Sequence, residues 1–219
     1  MIIIMLGAPG TGKGTVGNLL ANKLRIPHIS SGEIFRSYIN DAGEIGNQVK
    51  SYVIEGKLVP DDLTIQLLEK RLKEPDTKNG FILDGYPRTI KQAESLDKLL
   101  KEQNRLVKVA VNLSLSDDEI VERITKRRTC PNSECREIYN LDFKKPQVEN
   151  ICDKCGTELV VREDDKEETI RKRLENYHNI SENLIDFYQR KDILYTVKLN
   201  NESNKVSSDI AEEIQEYLK

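Results

Sequence analysis

The stretch Gly7-Ala8-Pro9-Gly10-Thr11-Gly12-Lys13-Gly14-Thr15 has the composition of an anion cradle. Glycines let successive backbone N–H groups curl around a phosphate without Cβ clashes. A helix that follows such a loop presents its N-terminus to the same anion, and Lys13 adds a point charge. The spacing is that of the phosphate loop, GxxxxGK, with one departure: Gly14 follows the lysine, and the hydroxyl comes one place later at Thr15. Asp84 ends the apolar run Phe81-Ile82-Leu83, the place of a carboxylate that organises Mg²⁺, directly or through water. Arg36, Arg88, Arg123, Arg127, Arg162 and Arg173 fall near expected loops, helix starts or the borders of an insert. Phosphoryl transfer needs positive charge that follows the moving group, and the arginine fork suits it. Composition alone does not choose among these arginines.

The four cysteines form two pairs, Cys130-x4-Cys135 and Cys152-x2-Cys155, with sixteen residues between them. That clustering fits tetrahedral zinc held by four thiolates, with no open position for catalysis. Reduced thiols, or iron in place of zinc, are the other readings. A zinc-ribbon module for nucleic acid is a rival meaning, since Lys126, Arg127, Arg128, Lys144 and Lys145 flank the pairs. Acidic residues are interspersed there, and the net charge of −3 gives no global basic field. His28 and His178 are the only histidines and read as structural. The apolar run at the N-terminus breaks at Gly7, too short for a signal peptide. No stretch reaches the roughly eighteen apolar residues of a membrane helix.

The elements that must position these groups alternate along the 219-residue chain. Residues 2–6 read as a strand and 16–24 as a helix. A brief strand at 28–30 precedes a helix opened by a Ser30–Glu33 capping box. Gly43 and Gly46 then interrupt, and a helical stripe of Ile45, Val49 and Val53 runs to Gly56. Pro60-Asp61-Asp62 opens a helix with Leu63, Leu67, Leu68 and Leu72 on one face. Residues 81–83 form a strand, 89–102 a helix, and 106–113 a strand. A second capping box at Ser116–Glu119 starts a helix carrying Arg123 and Arg127 on one face. Residues 128–161 form a small β-rich insert. Asp164 or Asp165 caps a long helix containing Ile170, Leu174, Tyr177, Leu184 and Phe187. A strand at 194–199 and a helix at 207–218 finish the chain. Strands separated by helices predict an α/β fold with a parallel sheet covered on both faces and ligands at the carboxyl ends of its strands.

GAPGTGKGT at 7–15, SSGEIFR at 30–36, FILDGYPRT at 81–89, and VREDD from 161 leading into ETIRKRL resemble the adenylate kinase family in its long-lid, zinc-bearing form. The resemblance runs in order from residue 1 to about 190, and Gly14-Thr15 is the family's own pattern. It implies a five-stranded parallel sheet of the P-loop NTPase type. The core would comprise 1–29, 60–126 and 165–219, with a monophosphate-binding subdomain at 30–59 and a zinc-bearing lid at 127–164. It implies reversible transfer from MgATP to AMP, giving two ADP, by a monomer; the charge balance and the lack of a signal or membrane-length run make a cytoplasmic protein without nucleic-acid or membrane partners the expectation.

Residue by residue, the resemblance puts Gly10, Thr11, Gly12, Lys13, Gly14 and Thr15 at the ATP phosphates. Arg123, Arg127, Ile138 and Tyr139 would also border ATP. Ser31, Arg36, Lys57, Leu58, Val59, Gly85, Tyr86, Pro87, Arg88 and Gln92 would hold AMP, with the Gln92 amide pairing with adenine. Lys13, Arg88, Arg127, Arg162 and Arg173 would be catalytic, Arg162 and Arg173 also facing AMP. Asp84 would serve Mg²⁺, and Cys130, Cys135, Cys152 and Cys155 a structural Zn²⁺. Three features depart from the family pattern: Ser31 in place of threonine, the x4 gap of the first cysteine pair, and the loop 200–204, to which no site residue is carried. Another nucleoside monophosphate kinase, or a GTP:AMP phosphotransferase, stays open as a reading. From a different class, so does a noncatalytic regulator or nucleic-acid binder that uses the four-cysteine insert.

Overall fold

The structure is a computed structural model that describes residues 1–40, 43–199 and 207–219, with the Asn40 side chain left out. Every residue of Ile2–Leu6 (β1) is apolar and buried, as a strand covered on both faces requires. It pairs in parallel with Phe81–Asp84 (β3) on one side and Val109–Ser114 (β4) on the other. His28–Ser30 (β2) lies beyond β3 and Leu194–Lys198 (β7) beyond β4, so the sheet order is β2-β3-β1-β4-β7. The expected α/β architecture with five parallel strands is therefore present.

The alternation of strand side chains splits the core in two. Ile2, Ile4 and Leu6 point to a layer built by Asp61–Leu72 (α4), Ile90–Glu102 (α5) and Asn183–Arg190 (α8), with Leu68, Leu96 and Tyr188 at its centre. Ile3 and Met5 point the other way, to Lys13–Leu24 (α1) and Ser207–Tyr217 (α9), through Val16, Leu20, Ile210 and Ile214. Register fixes the functional edge. Met5 and Ser30 are both Cα partners of Asp84, so Gly7, Ser31 and Gly85 leave the sheet side by side.

Two excursions rise from that edge. Ser31–Asn40 (α2) and Glu44–Ile54 (α3) bury Phe35 and Val49 with Val59 and Leu67 of the chain that follows. Arg127–Thr129 (β5) and Ile138–Asn140 (β6) pair antiparallel between Asp117–Thr125 (α6) and Glu167–Asn176 (α7).

Several local expectations are corrected. Gly46 does not interrupt but lies inside α3, where a Cβ would stand 2.2 Å from the Tyr38 carbonyl oxygen; it is small because α2 crosses there. Arg123 and Arg127 do not share a helix face: α6 ends at Thr125, and Arg127 opens β5. The strand expected at 106–113 runs 109–114, because pairing with β1 begins at Val109, and Leu106 is 80% exposed. Asp164 and Asp165 cap no helix. They lie in a 3-10 turn, Lys166 precedes α7, and a π turn at Tyr177–Ser181 divides the expected long helix into α7 and α8. The reciprocal box at Ser116–Glu119 is present. At Ser30 only half exists: the Glu33 N–H donates to Ser30 Oγ at 3.4 Å, while the Glu33 carboxylate meets Arg136. The loop 200–204 lies outside the described residues.

Gly46→Ala gains about 1 kcal/mol of helix propensity. It should nevertheless lower stability by roughly 1–2 kcal/mol, because overpacking at a close backbone crossing costs more. Urea denaturation reads the sign, and a stabilised variant would overturn this account of the α2–α3 contact.

Candidate active site

Between β1 and α1 the chain must reverse tightly while pointing N–H groups inward. Gly12 manages this at φ 93°, immediately before α1, a backbone region costly for residues with a Cβ. Lys13 is the first residue of α1, and its ammonium donates to the carbonyls of Gly7 at 2.8 Å and Ala8 at 2.6 Å. Burial pulls Lys13 down to about 8, against the opposing pull of Asp84. Gly14 faces Asp84: a Cβ there would lie 3.3 Å from Oδ2, so glycine after the lysine keeps that carboxylate open to the loop. His28 Nε2 stands 3.7 Å from the same oxygen.

The loop opens into a cleft of about 1530 Å³. Gly10, Thr11, Gly12, Lys13, Gly14, Thr15 and Asp84 line its floor. Arg36, Lys57, Leu58, Val59, Gly85, Pro87, Arg88 and Gln92 line one wall. Arg123, Arg127, Ile138, Tyr139, Arg162 and Arg173 line the other. Ser31 and Tyr86 are not on the wall. Ser31 is fully buried, and its hydroxyl donates to Gly85 O at 2.7 Å. Tyr86 is 2% exposed, and its hydroxyl donates to Gln92 O. Both sit behind the residues that do face the cleft.

The cations are held by two acids whose role the sequence did not reveal. Asp165 has a fully buried side chain and receives a two-point bond from Arg127, Nε at 2.8 Å and Nη2 closer. Asp164 takes Arg173 Nη1 at 2.9 Å. Burial would lower Arg127, but the Asp165 bond and charge leave it raised overall. Burial would raise Asp164, but Arg173, Arg127, Arg162 and Arg36 together hold it below the usual carboxylate range. Burial lowers Arg88 to about 10 and Arg162 to about 9, so both are cations at neutral pH. Arg88 Nε donates to Gly85 O at 2.9 Å and Arg162 Nε to Thr129 Oγ1 at 3.1 Å. The signal in the sequence is the adjacent acid pair in a chain that gathers arginines; the helical period that follows instead suggests one or the other acid as a helix cap. Arg123 carries its guanidinium 5.7 Å from the Phe143 ring centroid.

The insert also reaches across the cleft. Arg136, at φ 49°, bonds Glu33 of α2 at 3.1 Å. Within it, the four cysteine sulfurs lie within 4.8 Å of one another. The separations of 3.4 Å (Cys130–Cys155) and 3.6 Å (Cys135–Cys152) exceed a disulfide bond. They approach the edge, about 3.8 Å, of a tetrahedron with Zn–S near 2.3 Å, so the donor set fits such an ion.

A model of the adenylate kinase family matches residues 5–193. The chain is 49% identical over 197 residues to the adenylate kinase of Acetivibrio thermocellus, covering 90% of both chains. It is 47% identical to that of Archaeoglobus fulgidus over 90% of both chains. With that of Clostridium novyi it shares 43% over 98% of this chain and 99% of the other.

The position of Lys13 sets a pH dependence. Its buried ammonium releases its proton near pH 8 in the free protein, so the loop loses a cation above that value. Once corrected for the ionisation of the ligand's own terminal phosphate, the association constant for a nucleoside triphosphate should be level up to pH ~7.5 and fall up to about tenfold per unit as pH rises through the Lys13 value. Lys13→Met should bind weakly with no inflection. Titration calorimetry across pH checks this, and a flat profile in the unmodified protein would refute it.

Proposed function

The chain belongs to the adenylate kinase family and is an ATP:AMP phosphotransferase; from that premise we propose how its cleft divides the work. The supporting observation is the convergence of Lys13 with Arg36, Arg88, Arg127, Arg162 and Arg173 on a single cleft. In this reading residues 30–59 form the monophosphate-binding subdomain, 127–164 the lid, and 1–29, 60–126 and 165–219 the core.

The donor ATP lies with its phosphates on Gly10–Thr15 and its base against Arg123, bordered by Ile138 and Tyr139. AMP lies against Arg36, the Lys57–Val59 backbone, Gly85, Pro87, Arg88 and Gln92, with Ser31 and Tyr86 holding that wall from behind. Lys13, Arg88, Arg127, Arg162 and Arg173 surround the phosphoryl group in flight. Charge in the transition state spreads over its oxygens, so fixed cations on several sides stabilise it more than the ground state. No general base of unusual pKa is required: the acceptor is already an anionic phosphate oxygen, and positioning supplies much of the rate. Closing the lid excludes water and prevents hydrolysis.

Adenylate kinases use Mg²⁺ with ATP, and bound there it neutralises the phosphate oxygens. Asp84 would hold it, directly or through water. Cys130, Cys135, Cys152 and Cys155 would hold a structural Zn²⁺. The lid core supports this, since Cys130, Tyr139, Cys152 and Leu159 are its buried apolar residues, too few to stabilise a fold alone. We read the enzyme as a cytoplasmic monomer without nucleic-acid partners; among the described residues no helix is long and apolar enough to cross a membrane.

A coupled assay crossing ATP and GTP with AMP, CMP, UMP and GMP should give turnover fastest with ATP and AMP. Absence of turnover with AMP would sink this reading, and faster turnover with GTP would reassign the donor. Purified protein should carry about one zinc per chain, and chelation should lower its melting temperature. Zinc far below one per chain together with an unmoved melting temperature would remove the structural metal.

A further inference from the structure

Gln92, in the first turn of α5, is 2% exposed yet borders the cleft. The two ends of its side-chain amide have nearly the same shape, so only its partners decide which end faces which way. Its Nε2 donates to Asp61 Oδ1 at 2.7 Å, and its Oε1 accepts from the Arg88 backbone N–H at 2.8 Å. A carboxylate offers only lone pairs, and a peptide N–H offers only a proton. Neither bond survives if the amide is reversed. Asp61 is itself held, because the Thr89 hydroxyl donates to Oδ2 at 3.0 Å. In this arrangement the amide retains one N–H and one lone pair.

A 6-aminopurine presents a donor (N6–H) beside an acceptor (N1), which matches an amide in one orientation. A 6-oxopurine presents an acceptor (O6) beside a donor (N1–H) and needs the amide reversed. We infer that Asp61 is a specificity-determining positioning residue of the acceptor site. By anchoring the Gln92 nitrogen, it fixes the amide in the orientation that pairs with 6-aminopurine monophosphates and opposes 6-oxopurine ones. This rests on the proposal above that Gln92 reads the acceptor base. Asp61 touches neither substrate; it acts through Gln92.

The test compares AMP with IMP, whose bases differ in this donor–acceptor order. Asp61→Asn can turn an N–H toward Gln92 and so loosens the orientation. The AMP-over-IMP ratio of kcat/KM should fall about tenfold or more, with kcat for AMP within about threefold of the parent and the ATP KM unmoved. Thr89→Val removes the other bond of Asp61 and the cap bond to the Gln92 backbone N–H but leaves a carboxylate facing Gln92 Nε2; it should lower the melting temperature and move the ratio far less than Asp61→Asn does. An unchanged ratio in Asp61→Asn refutes the inference, as does an equal fall in Thr89→Val, which would make the effect merely structural. Gln92→Leu separates the two layers. If it leaves the AMP KM unchanged, the base-reading role of Gln92 fails and the inference falls with it. If it raises the AMP KM while Asp61→Asn keeps the ratio, only the role of Asp61 fails. The unmodified protein gives a check independent of folding: in ¹⁵N spectra one Gln92 side-chain proton, the one on Asp61, should exchange with water much more slowly than the other. Equal exchange would overturn the fixed orientation.

Discussion

Like charges gather in a protein only where opposite charge holds them, and here Asp164 and Asp165 do so. The cleft concentrates arginine, and without counter-ions the mutual repulsion and the loss of hydration would push these side chains out into water. The placement of the acids adds a mechanical role. Arg127 begins the insert and Asp165 follows its end, so their two-point bond ties together the two strands of chain that enter and leave it. Arg173 of α7 joins Asp164 in the same turn. The arginines that line the cleft therefore also form the neck of the insert. Charge compensation and the attachment of the insert are one piece of structure.

How well the sequence could be read tracks how local the deciding energy is. The phosphate loop, the box at Ser116–Glu119 and the apolar strands were legible because neighbours in sequence supply their partners. Glu33 has the spacing of a cap, but its carboxylate takes a cation 103 residues away. Asp165 has the look of a helix start, but a buried arginine claims it. Gly46 reads as a break because glycine is a poor helix former, yet α2 passes too close for any larger residue. Arg127 falls four residues after Arg123, but chain pairing into β5 overrides the helical period. Which residues line the cleft was legible for most of the candidate site; its counter-ions were not, nor that Ser31, Tyr86 and Asp61 bond to other protein groups.

The insert illustrates a different economy of structure. Its sheet has two short strands, and isolated bridges join Thr129 of β5 to Val160, Asn140 of β6 to Lys144, and Ile151 to Glu158. Rigidity of such a unit comes from cross-links at a few points rather than from a large core. Arg136 belongs to the same economy. A left-handed backbone is unfavourable for arginine, but it aims the side chain across the cleft at α2.

The central place of β1 bears on how the chain is made. β1 precedes both of its neighbours in the chain, so Phe81–Asp84 and Val109–Ser114 are synthesised much later than the strand they pair with. Until then an entirely apolar segment has no edge to pair with, a state exposed to aggregation and slow to resolve in parallel sheets. The phosphate cradle hangs from the end of that strand. The loop after β1 thus acquires its final shape only once Val109–Ser114, some hundred residues further along, has been made.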